Sequence, residues 1–265
     1  MSEFEKLRIV TGYEFLKHIR RRRLYVILGL TVVAEVVVLI LVPVLGDGYP
    51  DSVMAMAALL SVGPSLATIG AIFFAGDAIA GEFENKTGFM LFTNPVRRTT
   101  LVIGKYLACY GAVLLLVILG YVIVSISLLS IYGSVPIETL SSFGLCLLYT
   151  GSVLSVTFFF SSISKGAMGA TVITLVFIMV ISGIIDSVLT ITGQPHWFML
   201  STNGDSIATV YGGYEAFMAG LGGMGDMMPF ELETPSIGLS ALSMTLYLVV
   251  GFILSIWITR RRQLA

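Results

Sequence analysis

The sequence predicts an all-α membrane protein with six transmembrane helices, and three observations lead to this prediction. Of the 265 residues, 56% are hydrophobic and only 12% are charged, whereas a soluble domain spends about a quarter of its residues on charge. Six apolar segments are each long enough to cross a hydrocarbon core about 30 Å thick as a helix. All 15 Lys and Arg residues lie in four short stretches beside these segments, as expected for short loops on one side of a bilayer.

The apolar segments define one membrane domain over residues 1–265. None of them shows the alternating pattern of a barrel strand, and a helix satisfies its own backbone groups where water is absent. The predicted spans are 24–44, 53–80, 106–131, 140–163, 167–191 and 237–258. Seven basic residues precede the first span, four lie between the second and third, one between the fourth and fifth, and three after the sixth. The positive-inside rule therefore predicts that both termini are cytoplasmic.

Residues 1–23 are predicted to form an amphipathic helix on the cytoplasmic membrane surface. Apolar residues recur there at helical spacing, with Glu, Lys and Arg between them. The alternative is a short solvated helix that leads into the first span. Anionic lipid would attract its Lys and Arg in either case. The apolar residues are Phe4, Leu7, Val10, Tyr13, Leu16 and Ile19.

The cytoplasmic loop 81–105 is longer than a simple chain reversal requires, and its length favours a docking element. Its residues Glu82, Glu84, Thr87, Leu91, Pro95, Arg98, Gly104 and Lys105 follow, in order and spacing, a pattern of the type-2 ABC exporter permeases. The chain resembles this family, and it departs from the pattern at Lys86, where Gly is common. The resemblance also extends to the arrangement of a surface helix, six spans and an enlarged outer segment.

The resemblance implies that the loop forms a coupling helix that docks onto a separate ATP-binding subunit. Acids in the first turn of such a helix would favour its positive end and pair with basic groups of the partner. The alternative is that the acids only solvate a loop. The resemblance further implies two ATP-binding chains, which hold ATP and Mg²⁺, and a second permease chain, identical or not. The residues assigned to coupling are Glu82, Phe83, Glu84, Asn85, Lys86 and Thr87.

The chain itself is not expected to be an enzyme or to hold a cofactor. The phosphate-binding pattern G-x-x-x-x-G-K-[ST] does not occur in the sequence, and no soluble stretch is long enough for a nucleotide-binding domain. Membrane lipids are expected partners and nucleic acid is not. We expect a multi-pass protein of a prokaryotic cytoplasmic membrane. The transported substrate, and the direction of transport beyond the family resemblance, stay open.

Four residues in the spans are candidates for the translocation path. Glu35 lies near the middle of the first span, where an acid costs roughly 2.5–3.5 kcal/mol. Asp77 and Asp186 lie nearer span ends, where interfacial water would also explain them. Pro64 follows Gly63 within the second span and is predicted to kink it. An ion-coupled secondary transporter that uses Glu35 and Asp186 is the main alternative function, and a membrane anchor without transport is a third.

The outer segment 192–236 carries no Lys or Arg. A short helix is predicted at 207–221, and the resemblance implies short re-entrant or surface helices that cap the exit of the path. A cluster of methionines with His196 suggests Cu(I) handling, as in the copper-processing permease of nitrous oxide reductase maturation, which this arrangement resembles. Methionine is equally common as membrane-facing filler, so no metal site is assigned. The weak candidates are His196, Met218, Met224, Met227 and Met228.

Overall fold

The computed structural model describes residues 2–45, 48–84, 97–212 and 236–262. Within these ranges all regular elements are helices, which agrees with the predicted all-α fold. The helices are α1 (Glu3–Arg20), α2 (Arg22–Leu45), α3 (Val53–Leu59), α4 (Gly63–Ala75), α5 (Ala80–Glu84), α6 (Arg98–Tyr132), α7 (Glu138–Ile163), α8 (Ala167–Leu175), a π-helical segment (Val176–Ile181), α9 (Ser182–Ile191), α10 (Leu200–Thr209) and α11 (Ile237–Arg261).

Six stretches of the described chain are long and apolar enough to cross a membrane, which confirms the predicted number of spans. The third differs most from its predicted bounds, because α6 begins at Arg98 rather than at residue 106. Nothing between residues 98 and 105 interrupts a helix, and helix length is set by the chain rather than by the bilayer. Arg98, Gly104 and Lys105 therefore lie in a helix and not, as predicted, in the loop 81–105.

The second span is broken rather than only kinked. Helix α3 ends at Leu59 and α4 begins at Gly63, with Pro64 in its first turn. Proline suits that position because its fixed φ fits a helix and its missing N–H would have no partner there. The break is also tightly packed, since a Cβ at Gly63 would lie 2.9 Å from the Cε2 atom of Tyr121. The fifth span has its own irregularity, the π-helical segment between α8 and α9.

The outer segment contains a helix earlier than the sequence predicts. Helix α10 spans Leu200–Thr209, whereas the prediction was 207–221, most of which lies outside the described residues. The turn residues Gly193 and Pro195 precede α10 and separate it from the fifth span. Its side chains Leu200, Asn203 and Ile207 are buried, so α10 packs into the bundle.

The most extensive helix contact in the bundle is that of the parallel pair α7 and α11. Small residues allow close approach, as is common between membrane helices. The hydroxyl of Ser152 donates to the carbonyl of Met244 at 2.6 Å, and a Cβ at Gly251 would lie 3.1 Å from the carbonyl carbon of Ser155. Helix α4 packs against both α6 and α7.

The first and fifth spans are the most peripheral. Only 17% of the most apolar window of each is buried, against 61% for the second and fourth spans. Their outward faces are rich in branched apolar side chains, such as Val33, Val37 and Val180. These faces are suited to contact with lipid or with another membrane chain.

We expect Gly251→Val to destabilise the α7–α11 contact. The new side chain would push into the backbone of Ser155, and overpacking of this kind costs roughly 1–3 kcal/mol. Thermal unfolding of the purified protein in detergent measures the effect. Gly238→Val in the same helix is the control, because no atom lies within 4 Å of its Cβ position. Equal melting temperatures for the two variants would contradict this packing.

Candidate coupling site

The basic end of the bundle, where α1, α5 and the start of α6 meet, is built around a buried lysine. The side chain of Lys105 on α6 is only 7% exposed. Its Nζ lies 2.6 Å from Oε1 of Glu14 on α1 and 2.8 Å from Oε1 of Glu82 on α5. Because a buried charge is costly unless it is paired, this ammonium group fixes three helices relative to one another.

A second lysine balances the charge. Lys17 is on α1, and its Nζ lies 3.6 Å from Oε2 of Glu14 and 3.9 Å from Oε1 of Glu82. The four residues Glu14, Lys17, Glu82 and Lys105, called here the carboxylate–lysine cluster, therefore contain two positive and two negative charges. Burial opposes the ionisation of Glu14, but the Lys105 ammonium outweighs burial and lowers the pKa of that carboxyl below its ordinary value.

Glycine and histidine allow α1 to lie closely on the bundle. A Cβ at Gly104 would lie 2.6 Å from Cγ1 of Val10, so only glycine permits this approach. His18 is buried with its ring edge-on to Phe74, at 5.6 Å between centroids. Its Nε2 lies 3.5 Å from Sγ of Cys109. Burial, reinforced by the nearby Arg21 charge, lowers the pKa of His18 to about 4, so the ring is neutral at pH 7.

Helix α5 is also tied to the turn between the fourth and fifth spans. The hydroxyl oxygen of Ser161 accepts hydrogen bonds from the backbone N–H groups of Ile79 and Ala80, both at 3.1 Å. Oε2 of Glu84 accepts from the N–H of Ala167 at 2.6 Å, at the start of α8. A carboxylate is favoured there by the unpaired N–H groups and the positive end of the helix dipole.

The last helix is joined to the same end through arginines. Arg98 donates to the carbonyl of Arg262 at 2.9 Å. Arg262 donates in turn to the carbonyls of Ser162 and Ser164 at 2.8 and 2.7 Å, and its guanidinium lies 4.2 Å from the ring centroid of Phe83. Helices α1, α6 and α11 and the turn after α7 are therefore linked through one polar layer.

Several residues that the sequence assigns to coupling meet here. Glu82, Phe83, Glu84, Arg98 and Lys105 share this layer. Asp77 lies next to it, with Oδ2 3.4 Å from Arg21 and 3.2 Å from Arg23. The carboxylates of Glu82 and Glu84, which we expected to face a partner chain, bind groups of their own chain. Docking by 82–87 stays a prediction, because Asn85, Lys86, Thr87, Leu91 and Pro95 lie outside the described residues.

Sequence reasoning missed Glu14, Lys17, His18 and Ser161. The first three do carry a signal, since they lie at i, i+3 and i+4 and therefore share one face of α1. That face is directed into the protein. From the sequence we had expected the basic residues of this helix to interact only with the membrane surface. Ser161 carries no such signal, because its role depends on a backbone that is distant in the sequence.

The path candidates are dispersed. Glu35 is 0% exposed, and neither of its carboxylate oxygens has a hydrogen-bond partner among the described residues. It is enclosed by α2, α4 and α6, since a Cβ at Gly120 would lie 3.5 Å from Oε1 of Glu35. Asp186 accepts a hydrogen bond from Thr202 at 2.7 Å. Pro64 lies in the first turn of α4, at the break in the second span.

No metal centre is formed by the described part of the chain, where no group of three His, Cys, Asp or Glu residues is placed to hold an ion. His196 is half-buried, and its Nδ1 lies 3.2 Å from the carbonyl oxygen of Gln194. The methionines Met218, Met224, Met227 and Met228 lie outside the described residues. The copper hypothesis therefore stays a prediction.

Lys105→Met should destabilise the basic end strongly. Removal of one member of a buried ion group leaves the others uncompensated, at a cost of about 3–5 kcal/mol. The expected results are a lower melting temperature and faster proteolytic release of α1. Additional Glu14→Gln and Glu82→Gln changes should recover part of the loss, since they remove the uncompensated charges. Lys165→Met, at an exposed position, is the control and should change stability by less than about 0.5 kcal/mol.

Acid should weaken the packing of α1 through His18. The pKa of His18 is about 4 in the fold against 6.5 when it is free. The unfolded chain therefore gains a proton between pH 6.5 and 4 that the folded chain does not, and stability falls in that window. From pH 7 to 5 the expected loss is about 2 kcal/mol.

His18→Gln provides the measurement for that loss, because it should flatten the pH dependence of the melting temperature relative to the parent. Asp205 acts in the opposite sense, since burial and then Asp186 raise its pKa to about 6. Only the difference between variant and parent is therefore informative. Parallel pH profiles would contradict the burial of a neutral His18.

Comparison with known proteins agrees with the geometry. A family model for ABC-2 family transporter proteins matches residues 12–181, more than half of the chain. The match runs from α1 through the basic end to the π-helical segment. No curated protein shows significant similarity to the chain. The chain belongs to the ABC-2 transporter family and is a multi-pass membrane permease of an ABC transporter.

Proposed function

We propose that this chain forms the translocation path of an ATP-driven exporter and receives its energy from a separate ATP-binding chain at the basic end. The observation that carries the proposal is the connection of α5 to α1 and α6 through Lys105, at 2.6 and 2.8 Å. The partner would hold ATP and Mg²⁺. Residues 82–87 and the segment that follows would be its docking element.

The linkage gives a plausible route for mechanical coupling. A displacement of α5 is transmitted to α6 through Glu82 and Lys105, and to α1 through Glu14. Glu84 transmits it to the start of α8 through Ala167. Because these contacts are short and mostly buried, the layer should move as a rigid body, in the manner of domain rotations at other interfaces. The third and fifth spans would then tilt with the partner.

The charge distribution supports an orientation with this end in the cytoplasm. Arg98, Lys105, Lys165 and Arg262 lie at one end of the bundle, and acids such as Asp51 and Glu138 lie at the other. Positive charge is retained on the cytoplasmic side of membrane proteins. On α1, the exposed side chains Phe4 and Tyr13 are suited to the interfacial zone of the same leaflet.

A complex of two permease chains with two ATP-binding chains fits the remaining surface. The first and fifth spans are the least buried, so they are the natural faces for a second permease, identical or different. Glu35 is not available to that interface, because it is enclosed within one chain. Six helices alone surround little space, which also favours a path shared by two chains.

Replacement of residues 85–96 by a Gly/Ser linker of equal length tests the docking role. We expect roughly a tenfold or greater loss of a co-purifying chain with a Walker A motif, and of permease-dependent ATPase activity. The control replaces residues 133–137, at the opposite end of the bundle, by Gly/Ser. Melting temperatures show whether each variant is folded. Retention of the ATP-binding chain by a folded 85–96 variant would contradict the docking role.

An ion-coupled secondary transporter is the second candidate, and Glu35 is the observation that favours it. A buried carboxyl group with no hydrogen-bond partner in the described part of the chain is the type of group that carries protons in such transporters. Glu35→Met distinguishes the two functions in liposomes that contain a pH-sensitive dye. If ATP drives transport, the variant should retain ATPase activity and gain stability, by about 1–3 kcal/mol. Loss of a proton flux present in the parent would favour the ion-coupled function.

A further inference from the structure

A cavity of about 350 Å³ opens beside the break in the second span. It lies between the ends of α3 and α4, the helix α10 and the π-helical segment, at the end of the bundle opposite the carboxylate–lysine cluster. Its volume lies in the range of small-molecule pockets, about 300–1,000 Å³. The lining residues that matter here are Ser61, Ser65, Tyr149, Ile178, Met179 and Asp205.

The cavity contains an acid without a counter-charge. Asp205 is exposed to the cavity, and no described residue donates a hydrogen bond to its carboxylate. Loss of hydration to the surrounding protein, reinforced by the charge of Asp186, raises the pKa of Asp205 to about 6. Asp186 and Tyr149 are the other titratable groups near it, and neither is basic.

A buried hydroxyl group without a partner among the described residues lies in the wall of the same cavity. Oγ of Ser61 is buried and has no hydrogen-bond partner among the described residues. Thr68, by contrast, is already engaged, since its Oγ1 donates to the carbonyl of Pro64 at 2.9 Å and lies 3.1 Å from the hydroxyl of Tyr149. A buried polar atom without a partner in a roomy cavity is the type of group that a ligand can satisfy.

No Lys or Arg among the described residues pairs with Asp205. All 15 Lys and Arg residues belong to four stretches of the sequence, and the described ones lie at the other end of the spans. The first turn of α4, at Pro64, faces the cavity, and a helix N-terminus supplies only about half a positive charge. A full positive charge next to Asp205 would therefore have to be supplied by a ligand.

The shape of the cavity favours an organic cation over an inorganic ion. A metal cation needs several oxygen ligands within about 2.0–2.6 Å of one point, and 350 Å³ is far more space than that. The side chains of Leu59, Ile178 and Met179 supply an apolar wall next to the polar groups. Charge at one side and an apolar wall at the other match an amine with an apolar body.

We propose that this cavity binds an organic ammonium ion, with its charged group at Asp205, a hydrogen bond to Ser61 where the amine carries a proton, and its apolar part against Ile178 and Met179. The site would bind its ligand in the isolated permease, without ATP. The inference therefore goes beyond the exporter function and does not depend on it.

Cysteine labelling tests the charge preference directly. The two native cysteines, Cys109 and Cys146, are buried, whereas Ser65 lines the cavity and is exposed. Ser65→Cys is labelled with a cationic reagent, the trimethylammonium-ethyl methanethiosulfonate, and with its anionic sulfonate counterpart, in zwitterionic lipid nanodiscs. The ratio of the two rates cancels the titration of the thiol itself.

The expected ratio of cationic to anionic labelling falls roughly tenfold when Asp205→Asn is added, because a charged partner is lost. Asp51→Asn, which removes an exposed acid at the same end, should leave it unchanged. The ratio should also fall several-fold from pH 8 to 5.5, as Asp205 is protonated at a pKa of about 6. Phenethylammonium should slow the labelling, and the neutral 2-phenylethanol should not.

Three outcomes would overturn the proposal. The first is a rate ratio that Asp205→Asn does not change. The second is an equal effect of Asp51→Asn, which would indicate only a diffuse surface field. The third is equal protection by the alcohol and the amine, which would indicate an apolar pocket without cation selectivity. Melting temperatures of the variants exclude misfolding as a cause, and Asp205→Asn should not lower stability at pH 8.

Discussion

The ammonium group of Lys105 is the constraint on which the basic end depends. An isolated charge at this depth is unstable, so each element that contributes a carboxylate must stay in place. Glu14 brings α1, and Glu82 brings α5. Gly104, the residue before Lys105, is required by the same contact. Only a residue without a Cβ lets α1 approach α6 closely enough for Glu14 to reach Lys105. The burial of His18 follows from the same approach.

Backbone irregularities are concentrated at the opposite end, around the cavity. The break before Pro64 and the π-helical segment with Ile178 both line it. Irregular backbone within a membrane is tolerated where protein or a polar cavity surrounds it and not where it meets lipid. The two interruptions therefore support each other, and the buried helix α10 supplies the third wall. The bundle is thus rigid through ion pairs at one end and adaptable through broken helices at the other.

The sequence predicts the spans well because the bilayer sets the hydropathy and the minimum length of a span, independently of tertiary contacts. The family was also recognisable, from the order of residues between Glu82 and Lys105. What the sequence does not contain is the direction of individual side chains. Glu82 and Glu84 were expected to serve a partner, but their distances to Lys105 and Ala167 are set by the packing of distant segments. The start of α6 and the position of α10 were missed for a similar reason, since polar helical turns resemble loops in sequence.

The charge pattern connects the two ends of the molecule. Cytoplasmic retention of Lys and Arg orients a membrane protein, but it also leaves the half of the bundle opposite the basic end without Lys or Arg among the described residues. At the basic end many cations are internally paired: Arg21 and Arg23 with Asp77, and Lys105 with two carboxylates. Among the residues that the structure describes, Asp205 at the other end has no such partner, and neither has Glu35 in the membrane interior. The uneven distribution of Lys and Arg that sets the topology therefore leaves Asp205 and Glu35 without a basic neighbour. A proton, the positive end of a helix or a bound cation can balance the charge of such an acid. A cavity of this size has room for an organic cation, and the attraction between that cation and Asp205 would also contribute to its free energy of binding.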